Sequence, residues 1–189
     1  MDTVTIDKRC DWAESDELFF HYHDHEWGVP KYDTKVMFEY LVLEMMQAGL
    51  SWKIILQKRA SIAKAFDQFD YKKITGYSVK KVDQLLADPG IIRNRLKVNA
   101  VINNAQCCLQ LEQEGTDFSQ FIWQLTAGKP IINHWQEQQQ CPASTELSYQ
   151  MSKMLKAYGF KFIGTTICYS FMQAIGMVND HLLTCAQRY

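Results

Sequence analysis

Apolar side chains along this chain recur three or four positions apart, the period of a helix, and strict apolar–polar alternation of the strand kind is scarce. The pattern predicts helices over 15–25, 34–48, 52–65, 79–87, 93–112, 117–126, 145–157, 162–175 and 181–187. Their ends carry ordinary punctuation. Asp33 or Thr34, Ser51, Ser78 and the pair Ser144–Thr145 stand where N-caps belong, and Gly49, Gly115, Gly159 and Gly176 where helices should stop. Residues 127–143, with four glutamines and no period, read as a loop. These signals give an all-α chain, one domain over 1–189, with orthogonal helices in two lobes facing one cleft.

One helix breaks its own pattern. Between Lys35 and Ala48 the residues Met37, Tyr40, Leu41, Met45 and Ala48 form an apolar stripe, and Glu44 lies in the middle of it. A carboxylate on a core face is costly unless it is paired or used. The structural alternatives are that Glu44 caps a nearby helix or pairs with an arginine elsewhere. Gly49 ends this helix and Trp52 begins the next, which places an indole near the carboxylate at a helix junction. Tyr22 and Trp27 add rings upstream. Aromatic walls with one acid suit a flat cationic or amine-bearing ring, whereas any one of these rings taken singly reads as core packing.

Composition narrows the setting. No run of about 18 apolar residues is present, so a membrane span is not expected. The first residues are mixed and charged rather than signal-like, and a cytoplasmic protein is the expectation. Net charge is −1, but its distribution is uneven: residues 58–100 carry 10 basic and 4 acidic side chains, residues 1–57 carry 5 and 11. A basic central segment is either a phosphate-binding face or a solvated helix surface.

Six cysteines include two with histidine neighbours. Cys107 and Cys168 fall in apolar helical patterns and read as core thiols. His181 and Cys185, four apart, would share a helix face, with Asn179 or Asp180 as its cap, and could offer a metal two ligands. Cys10 and one of His21, His23 or His25 could supply two more. The residues alone do not choose among the histidines. Four protein ligands would make a closed, structural site that clasps the two chain ends.

Residues 85–97 suggest a phosphate contact. A helix stops before Asp88-Pro89-Gly90, and another starts near Arg93. Exposed amides at Gly90 and Ile91, with Arg93, Arg95 and Lys97, would hold a DNA backbone without reading its sequence. The arrangement is helix-hairpin-helix-like over about 79–100, although the usual second glycine is replaced near Ile92.

Taken together, RCDW (9–12), YHDHEWGVP (22–30), FEYLVLEMMQAGLSW (38–52), DPGIIRNRLK (88–97) and GFKFIGTTICYSFMQAIGMVNDH (159–181) resemble the 3-methyladenine DNA glycosylase I family. The resemblance implies a helix-hairpin-helix glycosylase fold with its chain ends joined by one structural Zn2+ held by Cys10, His23, His181 and Cys185. It implies Glu44 as the base-recognising catalytic carboxylate and Tyr22, Trp52, Trp27 and Trp12 as substrate-binding rings. It implies an enzyme that flips 3-methyladenine out of double-stranded alkylated DNA and leaves an abasic site; because no lysine in the pocket motifs is placed as a Schiff-base nucleophile, a monofunctional enzyme is expected, and a monomer. The Gly164-Thr165-Thr166 turn lacks the acidic residue most of the superfamily uses, as this family does. Phe19 departs from a tyrosine common among relatives. The competing readings are a catalytically inactive, zinc-stabilised DNA- or lesion-binding module, and a structural zinc protein.

Overall fold

The computed structural model describes residues 8–188. Nine α-helices carry it among the described residues: α1 Leu18–His25, α2 Thr34–Gln47, α3 Trp52–Ala65, α4 Tyr71–Ile74, α5 Val79–Ala87, α6 Arg95–Gln113, α7 Phe118–Trp123, α8 Glu146–Tyr158 and α9 Thr165–Ala174. Asp33, Ser78, Asn94, Asp117 and Thr145 each accept a backbone amide of the following first turn, as N-caps do. Ser51 occupies the N-cap position of α3, but its hydroxyl caps nothing. The sixth helix starts at Arg95 rather than near Arg93, because Asn94 is its cap.

Helix α2 is the axis of the core. Residues Met37, Phe38 and Tyr40–Met46 are all buried, and α2 packs against α3, α6, α7 and α9. A helix apolar on nearly every side must be surrounded, which explains why Glu44 has no route to bulk water along its own helix. Gly176 closes the turn after α9 so tightly that a Cβ there would lie 2.3 Å from the carbonyl carbon of Val29, and its φ is +68°. Only glycine meets both conditions.

Two expectations need correction. Residues 127–143 are more than a loop. Ile131–Ile132 form a short strand, β1, paired in parallel with β2 at Val178–Asn179, and Gln138–Gln140 make a 3-10 turn. The 181–187 stretch is not a helix. Its amides serve other acceptors: Leu182 N donates to Cys10 Sγ (3.5 Å), Gln187 N to Cys185 Sγ (3.4 Å) and Ala186 N to Lys8 O (2.9 Å). A four-residue spacing that looks helical is here a chain wound around two sulfurs.

Candidate base pocket and metal centre

The pocket is a cleft of about 210 Å³ lined by Trp12, Tyr22, Trp27, Glu44, Gln47, Trp52, Gln138, Ser170 and Gln173. All four expected rings and the expected carboxylate therefore share one cavity. A second cleft, along Ala48–Leu50 and Thr166–Ile167, shares Glu44, Gln47 and Ser170 with it. The Tyr22 and Trp52 ring centroids lie 5.1 Å apart, and Trp12 meets Trp27 edge-on at 5.1 Å. Phe19 packs on Trp12 (5.8 Å) outside the lining.

Glu44 has no ion pair or hydrogen bond among the described residues. Arg59, the arginine nearest in sequence, is held by Glu26 and Glu39. Burial alone therefore acts on the Glu44 carboxyl and pushes its pKa up to about 8. Burial, and then the neighbouring Glu44 charge, also raise the Tyr22 phenol, which stays protonated. The pocket keeps an acid without supplying its cation.

Behind the aromatic wall stand Cys10, His23, His181 and Cys185, all buried, with their donor atoms within 4.8 Å of one another. Cys185 Sγ lies 3.3 Å from His181 Nδ1 and 3.5 Å from His23 Nε2, and Cys10 Sγ lies 3.8 Å from His181 Nδ1. Tetrahedral Zn–S and Zn–N bonds of about 2.3 and 2.0 Å would put neighbouring S and N donors about 3.5 Å apart. The cluster could hold a metal ion. Its outer contacts are in place: His23 Nδ1 faces Asp24 Oδ1 at 2.8 Å, and His181 Nε2 faces Trp27 O at 3.1 Å. The Cys10 thiol and the two imidazoles draw the Cys185 pKa well down, while the same contact raises Cys10. All six cysteines are free thiols. The cluster is also part of the pocket wall. Trp27 packs edge-on against His181 at 4.7 Å, and Trp12 against His23 at 5.4 Å.

The hairpin between α5 and α6 runs through Asp88–Asn94, but its amides are not those expected. Gly90 N donates to Asp88 Oδ1 (2.7 Å), and Ile91 N to Asp88 O (3.4 Å). Both are turned into the hairpin, and the Ile91 side chain is buried. Gly90 is required by packing, since a Cβ would sit 3.0 Å from Ser61 Cβ. The amides of Ile92 and Arg93 find no acceptor among the described residues. Arg93 is exposed, and Arg95 pairs with Asp83 (2.9 Å) in the open. Lys97 is a correction. It is buried, and its ammonium donates to Met46 O (2.9 Å) and Ala48 O (2.6 Å), closing the C-terminal end of α2 beside the pocket. Those two carbonyls take two of the ammonium's three donors and hold it in the interior.

Gln47, Gln138, Ser170 and Gln173 were missed from sequence. Gln47 lies in the stretch Gln47–Trp52 and carries no charge whose burial cost would mark it, and Gln138 lies in a segment without a helical period.

These features define a helical, hairpin-bearing protein with an aromatic pocket closed around one acid. The methyladenine glycosylase family model matches residues 12–189. The chain is 47% identical to DNA-3-methyladenine glycosylase 1 of Escherichia coli K12 over 178 residues, covering 94% of this chain and 95% of that one. It is 45% identical to the DNA-3-methyladenine glycosylase of Haemophilus influenzae, covering 94% and 96%. Its fold superposes with a TM-score of 0.92 on 3-methyladenine DNA glycosylase I from Staphylococcus aureus, whose structure addresses 3-methyladenine recognition, at 36% identity and 96% of each chain. The chain belongs to the methyladenine glycosylase family.

Proposed function

We propose that the chain is a monofunctional glycosylase that excises 3-methyladenine from alkylated duplex DNA. The observation that carries this reading is Glu44, a buried carboxyl with no cation of its own, walled by Trp12, Tyr22, Trp27 and Trp52. A ring bearing positive charge is the partner such a pocket lacks.

The 3-methyladenine nucleotide is already cationic, so its glycosidic bond is weak before any enzyme acts. The base is flipped into the cleft and stacked on Trp52 and Tyr22, and Glu44 ionises as it arrives and accepts from the exocyclic amine. The C1′–N9 bond breaks with its electron pair going to N9, and the base leaves neutral. Water adds to C1′ and loses a proton, leaving an abasic site. Among the described residues no lysine lines the pocket to form a Schiff base, which fits an enzyme without lyase activity.

Arg93, Arg95 and the open amides of Ile92 and Arg93 hold the DNA backbone. Zn2+ suits the Cys2His2 donor set, and its role here is structural: four protein ligands leave no open position. When bound it would fix Cys10, His23, His181 and Cys185, and with them Trp12 and Trp27. The protein acts as a monomer in the cytoplasm. Among the described residues no helix is long and apolar enough to cross a membrane.

The test is incubation with methylated DNA and chromatography of released bases. Release of 3-methyladenine supports the reading. DNA binding without release would instead indicate the inactive lesion-binding module.

A further inference from the structure

Gln173 enters the pocket from α9 with its amide already committed. Its Nε2 donates to Asp180 Oδ2 at 2.7 Å and approaches Cys141 Sγ at 3.5 Å. The Asp180 carboxyl is buried and surrounded by donors: Asn133 Nδ2 (2.6 Å) and Trp135 Nε1 (2.8 Å) reach Oδ1, and Tyr169 Oη (2.7 Å) and Cys141 Sγ (3.3 Å) reach Oδ2 with Gln173. The Trp135 indole can only donate, so Oδ1 accepts, and an ionised carboxylate, with no proton to donate, accepts at Oδ2 as well. An accepting oxygen takes the –NH2 end of a glutamine and not its carbonyl end. The amide therefore cannot turn over without losing this bond. Gln173 lines the cleft, and its Oε1 accepts from nothing among the described residues.

Resting on the glycosylase reading above, we propose that Gln173 is a specificity-determining residue. Its Oε1, locked as an acceptor by Asp180, takes an N–H from the flipped base and repels purines that carry a carbonyl on that edge. Adenine bears an amine where guanine bears O6. An acceptor that cannot flip rejects the second because two lone-pair-bearing oxygens would meet with no proton between them. Asp180 is then a positioning residue acting through Gln173.

The experiment is release of 3-methyladenine, 3-methylguanine and 7-methylguanine from one methylated DNA by wild type and by Gln173→Leu, with melting temperature and metal content as checks of folding. The expected result is a fall of about tenfold or more in the ratio of kcat/KM for 3-methyladenine to that for either guanine. Asp180→Asn, which frees the glutamine to flip, should move the ratio the same way. A wild-type protein that releases 3-methyladenine and a folded Gln173→Leu with an unchanged ratio would overturn the proposal and leave the glycosylase reading standing. Wild type releasing no base would overturn both. An independent measurement needs no variant: titrating 15N-labelled wild type with 3-methyladenine should shift the Gln173 side-chain amide resonances, and unmoved resonances would refute the contact.

Discussion

Replacing Glu44 by glutamine should make the protein more stable and less active at once. The carboxyl is raised from 4.5 to about 8 by burial alone, so its ionised form is disfavoured by about 5 kcal/mol in the empty pocket. Below pH 4.5 both folded and unfolded chains hold the proton and no difference exists. Between pH 4.5 and about 8 only the unfolded chain releases it, so folded stability falls as pH rises, and above about 8 the full cost is present. Glutamine never carries that cost. Water in the open cleft softens the effect, and a realised gain of ~2 kcal/mol would raise Tm by roughly 4–8 °C for a domain of this size. The gain should shrink toward zero as pH is lowered to 4.5.

The loss of activity has a separate origin. A carboxylate about 4 Å from a cationic ring at an effective dielectric of about 20 contributes ~4 kcal/mol. At pH 7 roughly 1.4 kcal/mol of this is spent ionising a group whose pKa is about 8. The remainder predicts a fall of roughly 100-fold in kcat/KM for Glu44→Gln. The assay is 3-methyladenine release between pH 5.5 and 9 beside thermal melts in the same buffers. Wild-type kcat/KM should climb with pH and level near 8, while the variant's profile stays flat. A variant as active as wild type, or a stability gain that ignores pH, would refute the argument.

Three other outcomes follow from the same geometry. Elemental analysis should find one zinc per chain, and Cys185→Ser or chelation should lower Tm sharply; because Trp12 and Trp27 pack on the ligating rings, base affinity should weaken too, and an equally stable metal-free protein would count against the clasp. Lys97→Met should destabilise by about 1–3 kcal/mol through the carbonyls it leaves unmet yet leave the salt dependence of DNA binding unchanged, whereas Arg93→Ala should reduce the slope of log K against log salt by about 0.9; the reverse pattern would mean the two cations have been misassigned. Gly176→Ala should cost more than about 2 kcal/mol in denaturant unfolding, since it forces a Cβ into the Val29–Pro30 backbone, and a neutral result would refute that close approach.

What was legible in the sequence follows from where the physical cost lies. Helices announce themselves because one period repeats over many residues, and Glu44 because an acid on an apolar stripe is expensive. The metal cluster was half legible: the Cys and His types stood out, but three alternating histidines could not be separated until a family resemblance favoured His23. The geometry at His181–Cys185 was misread, since a spacing of four also arises when a chain curls around sulfur. Lys97 misled for a related reason. A lysine in a basic stretch carries no mark of which carbonyls it will meet 50 residues away. Residues 127–143 had the least local signal because β1 is ordered by β2 and by Asp180, both supplied from another part of the chain.

That segment changes how the pocket should be understood. Gln138 comes from it, Gln173 is held through the Asp180 carboxyl that also holds Asn133, Trp135 and Cys141, and Trp27 leans on His181 one residue further along. Asp180, His181 and Cys185 thus serve the pocket and the Cys2His2 cluster from a stretch of chain with little regular structure. An enzyme whose substrate is already labile gains little from a strong acid or nucleophile; it gains from donors and acceptors that are in place before the base arrives. A saturated carboxyl hub on one side and a buried cluster of four side chains able to hold a metal on the other supply that rigidity. They leave Glu44 as the one group in the pocket whose charge is unsettled until a cation enters.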